Sequence, residues 1–237
     1  HGAEQALAPV RPWFERRPLL LASEKEAVAA GYSTLYFVVA EGVARVRGGL
    51  PIRVGSTVVD HFQIEVRLAD DHPASHPIAR EVGGRIAPLS EHHLNDDGQI
   101  CLFLPEEAYV HWGAVATVHS FLEGPVNSYF VGYLHYRAFG IWPFGERRHG
   151  LDGSLDFYQE RSGITTPDGV VSLIELLARG RIKGHWPCPC GSNLPIRSCH
   201  PGALNLRETV STSIAEATLG RVREALRKAA DSVTSAI

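Results

Sequence analysis

The segment VVDHFQIEVRL, residues 58–68, alternates apolar and polar side chains and is the clearest secondary-structure signal in the chain. Phe62, Ile64, Val66 and Leu68 would share one face of a strand, and the intervening polar residues would share the other. This alternation predicts a half-buried strand of an antiparallel sheet, with one face on a core and one toward water.

Further strands are expected on the N-terminal side of this segment. Residues 32–43 are rich in β-branched and aromatic side chains, and residues 44–54 continue as strand with a turn expected at Gly48–Gly49. One helix or two are expected over residues 11–31. The order predicts an α+β fold in which a short antiparallel meander packs with helices.

Length and composition set the broad class. With 237 residues, of which 44% are hydrophobic, the chain can bury a real core, and we expect a division into residues 1–150 and 151–237. The formal net charge of -3 makes nucleic acid or membrane an unlikely main partner. No apolar run approaches the ~20 residues that span a bilayer. The N-terminus lacks a signal-peptide pattern, so a cytoplasmic location is expected.

A polar turn delivers one cysteine into the start of an apolar segment, EHHLNDDGQICL at residues 91–102. Asn95, Asp96, Asp97 and Gly98 are turn formers, so Cys101 should lie just past a tight loop.

A reactive cysteine needs partial exposure and neighbours that favour the thiolate or polarise a carbonyl. His92, His93 and Asn95 are the candidates for that role around Cys101. The plain alternative is that Cys101 is a small buried hydrophobic residue.

This region resembles the catalytic region of ubiquitin-conjugating (E2) enzymes, and more closely the E2-like proteins of bacterial ubiquitin-like conjugation and antiphage operons. The family carries a His-Pro-Asn element, an Asn-x-x-Gly turn, then Ile-Cys-Leu and a tryptophan. The corresponding run here is residues 92–102, with Trp112 behind it. The resemblance covers roughly residues 35–125 and implies an E2-like α+β fold.

The resemblance implies that Cys101 accepts the C-terminal acyl group of a ubiquitin-like protein from an E1-like enzyme by thioester exchange. Cys101 would then pass the acyl group to an amine on a protein target. At the family's spacing, the oxyanion-stabilising asparagine falls on His93, whereas Asn95 lies two residues nearer to the cysteine. Either residue could serve, and His92 is a third candidate or a residue that holds the loop. A role in antiphage defence rests on the resemblance alone.

Two readings from other classes stay open. Cysteine plus histidine is also the minimum for a hydrolase, with Cys101 as nucleophile and His92, His93, His111 or His119 as base. The chain could instead be a non-catalytic, E2-shaped adaptor with a zinc docking module.

The remaining three cysteines form a second motif. Cys188, Cys190 and Cys199 are followed by His200, a set of three thiols and an imidazole that suits tetrahedral Zn²⁺. The pattern resembles the SEC-C zinc motif, over residues 184–204. Because all four ligands come from protein, the site should be closed and structural.

The rest of the chain is expected to be mostly helical. The aromatic residues between Tyr129 and Phe144 are expected to pack between helix and sheet, with a docking surface as the alternative. Helices are expected over residues 155–160 and 167–179, and an amphipathic helix over 205–235.

Overall fold

The computed structural model describes residues 11–113, 117–143, 148 and 150–235. Two compact units form: one comprises His1–Leu102 and Trp112–Phe144, and the other comprises Phe103–His111 and Gly145–Ile237. The short segment Phe103–His111, which directly follows the Cys101 loop, thus groups with the second unit, whereas the sequence placed one division near residue 150. Strands and helices together confirm the α+β class.

The first unit is built on a four-stranded antiparallel sheet whose strands are neighbours in chain order. Two helices precede it, as expected, and they end at Gly31. The elements are α1 (Trp13–Arg16), α2 (Pro18–Gly31), β1 (Leu35–Ala40), β2 (Val43–Val54), β3 (Thr57–Arg67) and β4 (Ile78–Glu81).

The alternation predicted for residues 58–68 is confirmed. Phe62, Ile64, Val66 and Leu68 are at most 1% exposed and lie on the inner face of the sheet. Phe62 stacks on Phe130 with the ring centroids 4.4 Å apart. The inner face of the sheet is therefore covered by the helix that carries Phe130.

That helix belongs to the helical segment that follows the sheet in the chain. Its elements are α3 (Ala108–Trp112), α4 (Val118–Phe121), a π-helical turn (Leu122–Val126) and α5 (Asn127–Phe139). Pro125 lies within the π-helical turn, where the ladder of i→i−4 bonds is already interrupted.

The turn expected at Gly48–Gly49 is wrong. β2 runs unbroken past both glycines, and the chain reverses instead at Glu41 and Gly42, with φ values of 52° and 72°. Gly48 has a φ of 134°. A Cβ there would lie 2.1 Å from the carbonyl oxygen of Thr34. The glycine therefore permits a close approach between two backbones inside the sheet.

The second unit is helical, with a short 3-10 turn at Pro105–Glu107. Its apolar core includes Phe157, Leu173 and Ile174. The helices are α6 (Gly150–Ser162), α7 (Pro167–Ala178), α8 (Ile196–Cys199), α9 (Gly202–Thr209) and α10 (Thr212–Ser235). α7 matches the prediction, and α6 is longer than the expected 155–160.

The single helix expected over residues 205–235 is wrong, because the chain breaks between α9 and α10. Val210 is extended, with φ −109° and ψ 118°. The Ser211 hydroxyl accepts a hydrogen bond from the Ile214 amide at 3.3 Å, which caps the start of α10. Within the described part of the chain, no helix combines the length and apolar character needed to cross a membrane.

A buried carboxylate fixes the Pro105–Glu107 turn within the second unit. Glu106 is fully buried, and its Oε1 accepts a hydrogen bond from the Thr218 hydroxyl of α10 at 2.7 Å. The Arg221 guanidinium lies 3.4 Å from the same oxygen and donates to the Ser154 hydroxyl at 3.0 Å. These bonds engage Oε1 and offset part of the cost of burying this polar side chain, whereas Oε2 has no hydrogen-bond partner among the described residues.

Candidate functional site

The expected tight turn begins at Asn95, six residues before Cys101, and ends at Gly98, close to β4. The Gly98 amide donates to the Asn95 carbonyl, and the Asn95 amide donates to the Gln99 carbonyl, both at 2.9 Å. Gly98 has a φ of 77°, and a Cβ there would lie 2.6 Å from the Glu81 carbonyl oxygen. A glycine is thus required where the turn meets β4.

Cys101 emerges from this turn and is exposed. Its amide donates to the His93 carbonyl at 2.9 Å, and its Sγ donates to Asn95 Oδ1 at 3.6 Å. Partial burial raises the pKa of the Cys101 thiol, and the Asp97 carboxylate raises it further. The structure thus brings the Asn95 side chain to the thiol.

His93 supports Cys101 through its main chain. It adopts a left-handed conformation with a φ of 52°, which turns its carbonyl toward the Cys101 amide. Its ring stands perpendicular to that of Trp142, with the centroids 4.6 Å apart. The conformation of His93 therefore sets where Cys101 leaves the loop.

His92 is engaged within the loop and with α5. Its Nδ1 donates to the Ala87 carbonyl at 2.8 Å. Its ring meets Tyr133 and Tyr136 edge-on, at centroid distances of 5.5 and 5.7 Å. These contacts hold the loop against α5.

Asp97 provides a fixed negative charge near the thiol. Arg80 Nη2 donates to its Oδ2 at 2.9 Å, and the Gln99 amide donates to its Oδ1 at 3.0 Å. The hydrogen bond from Arg80, with the backbone bond, lowers the pKa of Asp97. Asp97 is therefore ionised at neutral pH.

Two aromatic residues of the site were predicted only as part of the aromatic stretch. The Tyr129 hydroxyl donates to the His92 carbonyl at 2.8 Å, and Trp142 Nε1 donates to the Glu91 carbonyl at 2.9 Å. A half-buried tyrosine or tryptophan needs a partner for its polar atom. That requirement could have indicated a contact, but the identity of the acceptor has no sequence signal.

Trp112 is buried against the loop that precedes β4. It is 6% exposed, and its Nε1 donates to the Pro73 carbonyl at 2.7 Å. Its ring packs edge-on against Phe121, with the centroids 5.8 Å apart. Trp112 thus braces the loop that precedes β4.

The second candidate site is a Cys/His cluster that could hold a metal ion. The ligand atoms of Cys188, Cys190, Cys199 and His200 all lie within 4.8 Å of one another. Cys188 Sγ is 3.2 Å from His200 Nδ1, and Cys190 Sγ is 3.6 Å from Cys199 Sγ. The ligand set read from the sequence therefore comes together in space.

The backbone explains how the cluster assembles. Pro187 and Pro195 pair as an isolated bridge, and the Cys188 amide donates to the Leu194 carbonyl at 2.8 Å. The bridge starts α8, which ends on Cys199. A short loop and one helical turn thus bring both halves of the motif together.

The thiols of the cluster have different surroundings. Burial raises the pKa of Cys188 to about 12, whereas hydrogen bonds from Ser192 lower the pKa of Cys190 to about 6. A bound cation would favour the thiolate at each cysteine. Three sulfurs and one nitrogen would complete a four-coordinate shell around a metal ion without a water ligand.

Comparison with protein-family models, with curated proteins and with solved structures gave no match.

Proposed function

We propose that this protein is an E2-like carrier that accepts a ubiquitin-like protein as a thioester on Cys101 and transfers it to an amine on a target. The contact between Cys101 Sγ and Asn95 Oδ1, at 3.6 Å, carries the proposal. It joins an exposed thiol to an amide side chain on a tight turn, beside an antiparallel meander of four strands. The order of residues 92–102 supports the same reading.

The reaction would proceed by two acyl transfers. The Cys101 thiolate attacks the thioester carbonyl carbon of the charged E1-like enzyme, and collapse of the tetrahedral oxyanion expels the E1 thiolate. An amine of the target then attacks the Cys101 thioester, loses its proton and expels the Cys101 thiolate. The Asn95 amide also carries N–H donors, which an oxyanion beside Cys101 requires.

The partners follow from this chemistry. They are an E1-like activating enzyme, a ubiquitin-like protein and a protein with an acceptor amine, which fit a cytoplasmic pathway. The resemblance to operon-borne bacterial E2-like proteins extends the proposal to bacterial conjugation and antiphage defence. For the Cys/His cluster we propose Zn²⁺ in a structural role, because three thiolates and one imidazole suit that ion.

A charging assay tests the proposal. The purified chain is incubated with ATP and with the E1-like and ubiquitin-like proteins encoded beside its gene, then run on gels with and without thiol reductant. We expect a reductant-sensitive adduct that is absent from Cys101→Ala. Loss of the E1 thioester without an adduct would point to a hydrolase. An unchanged biological function in Cys101→Ala would point to an adaptor.

The oxyanion donor can be located by comparing two variants. Asn95→Ala should slow thioester formation by ~10²- to 10³-fold, the usual cost of losing one such donor. His93→Ala should slow it less, because alanine keeps the main-chain carbonyl that accepts from Cys101. Single-turnover charging rates measure both effects, with melting temperatures to control for folding. A larger loss in His93→Ala would transfer the role to His93.

A further inference from the structure

A short segment after α5 folds back onto the Cys101 loop. Gly140 follows α5 with a φ of 74°, and its amide donates to the Tyr136 carbonyl at 2.7 Å. His135 Nδ1 then donates to the Ile141 carbonyl at 2.9 Å. This left-handed turn ends the helix and places Trp142 back along the helix that precedes it.

Trp142 is held on three sides. Its ring stacks on Tyr136 at a centroid distance of 5.6 Å and stands edge-on to His93 at 4.6 Å. Its Nε1 donates to the Glu91 carbonyl at 2.9 Å. The indole thus joins the end of α5 to the loop.

Tyr129 makes the neighbouring contact from within α5. Its side chain is buried, with 7% of the residue exposed, and its hydroxyl donates to the His92 carbonyl at 2.8 Å. Burial is the largest cause that raises the pKa of Tyr129 far above its ordinary value, and Tyr133, Cys101 and Glu81 raise it further. The phenol therefore stays a proton donor throughout the pH range in which proteins are folded.

Three consecutive carbonyls of the loop are thereby engaged. The carbonyl of Glu91 accepts from Trp142, and that of His92 accepts from Tyr129. The next carbonyl, on His93, accepts from the Cys101 amide. The first two bonds fix the peptide groups of Glu91 and His92. These immediately precede the peptide group of His93, whose carbonyl accepts from the Cys101 amide.

We propose that Tyr129 and Trp142 are positioning residues that set the location of the Cys101 sulfur through the carbonyls of Glu91 and His92. Their importance for acyl transfer rests on the proposed function, whereas their effect on the thiol does not. Without these donors, the loop can move away from α5, and the contact between Cys101 and Asn95 loosens. A displacement of about 1 Å in such an arrangement can cost ~10²-fold in rate.

Substitution by phenylalanine separates positioning from packing. Tyr129→Phe and Trp142→Phe keep an aromatic ring and remove the donor. Trp112→Phe is the matched control, because it loses a bond from Nε1 to a carbonyl in the same unit, that of Pro73. Tyr36→Phe, at a tyrosine that is 58% exposed, controls for loss of a hydroxyl.

The experiment measures alkylation of Cys101 by iodoacetamide in the full chain, read from the Cys101 peptide by mass spectrometry. At neutral pH we expect the Tyr129 and Trp142 variants to react about three- to tenfold faster, because a loosened loop relieves the burial that disfavours the thiolate. Charging by the E1-like enzyme should fall in the same variants. Opposite changes in the two rates are not expected from a general loss of stability.

Two outcomes decide the matter. If the Tyr129 and Trp142 variants lower the melting temperature but alkylate at the rate of Trp112→Phe, both residues are structural and the inference is wrong. If alkylation changes as expected while the wild-type chain cannot be charged, the inference stands and the proposed function fails.

Discussion

Around the Cys101 sulfur, two features of the loop disfavour the thiolate. Partial burial removes water that would solvate the charge, and the Asp97 carboxylate repels it, so the pKa of Cys101 is raised. Arg80 keeps Asp97 ionised through a 2.9 Å bond. The Cys101 thiol is therefore mostly protonated at neutral pH.

The effect of Asp97 gives a prediction at this scale. Asp97→Asn removes a negative charge, so the pKa of Cys101 should fall toward its ordinary value and alkylation at neutral pH should accelerate. The pH dependence of iodoacetamide alkylation measures the change, and its midpoint should move to lower pH.

The asparagine oxygen can still accept from the Gln99 amide, whereas the NH2 group cannot accept from Arg80. The backbone bond from Gly98 to Asn95 is unchanged, so the turn should persist. Asp96→Asn is the matched control, one residue earlier in the same turn. An equal shift in both variants, or no shift in Asp97→Asn, would contradict the electrostatic account.

Among the elements, β2 needs a glycine at position 48 to pair closely with its neighbouring strand, although the sequence suggested a turn there. Gly48 pairs with Leu35 on one side and Ile64 on the other, and it lies where the Thr34 carbonyl approaches closely. Thr34 Oγ1 also donates to the Gly49 carbonyl at 2.6 Å. These contacts hold β1 and β2 in one register at this point.

Two neighbouring substitutions test this role. Gly48→Ala should lower the free energy of unfolding by about 1–3 kcal/mol or more. Alanine is strained at a φ of 134°, and its Cβ would meet the Thr34 carbonyl. Gly49→Ala should change it by at most about 1 kcal/mol, because its Cβ would be 3.4 Å from a flexible Gln63 side chain. Urea denaturation measures both. Equal effects would remove the special role of Gly48.

At the scale of the whole molecule, the Cys/His cluster belongs to the core of the second unit. Cys188 is 3% exposed and packs within the same apolar cluster as Ile196 and Ala203. Cys190 and Cys199 lie at its margin. Metal bound there would contribute folding energy to the unit, because the four ligands are assembled only in the folded chain.

Metal removal should therefore unfold part of the chain. Cys199→Ala should lose the metal and lower the melting temperature, and a chelator should do the same to the wild-type chain. Metal content by mass spectrometry and thermal melting measure the two effects. Cys101→Ala is the matched control and should keep both the metal and the melting temperature. Unchanged melting after chelation would contradict a structural metal.

The sequence by itself determined the α+β class, the buried face of β3, the turn before Cys101 and the four candidate metal ligands. Each of these features follows from a hydrophobic period or a residue spacing of a few positions, because interactions between near neighbours in the chain determine it. The two wrong predictions were also local: a glycine pair read as a turn, and a helix read through Val210–Ser211.

Only the tertiary structure decided which side chain meets the Cys101 thiol, which donors hold the carbonyls of Glu91 and His92, and that Phe103–His111 groups with the second unit. Tyr129 and Trp142 lie 37 and 51 residues from their acceptors, His92 and Glu91, and both acceptors are main-chain carbonyls. Every residue has such a carbonyl, so the sequence does not indicate which carbonyl accepts a given hydrogen bond. Folding alone selects which of them faces a given donor.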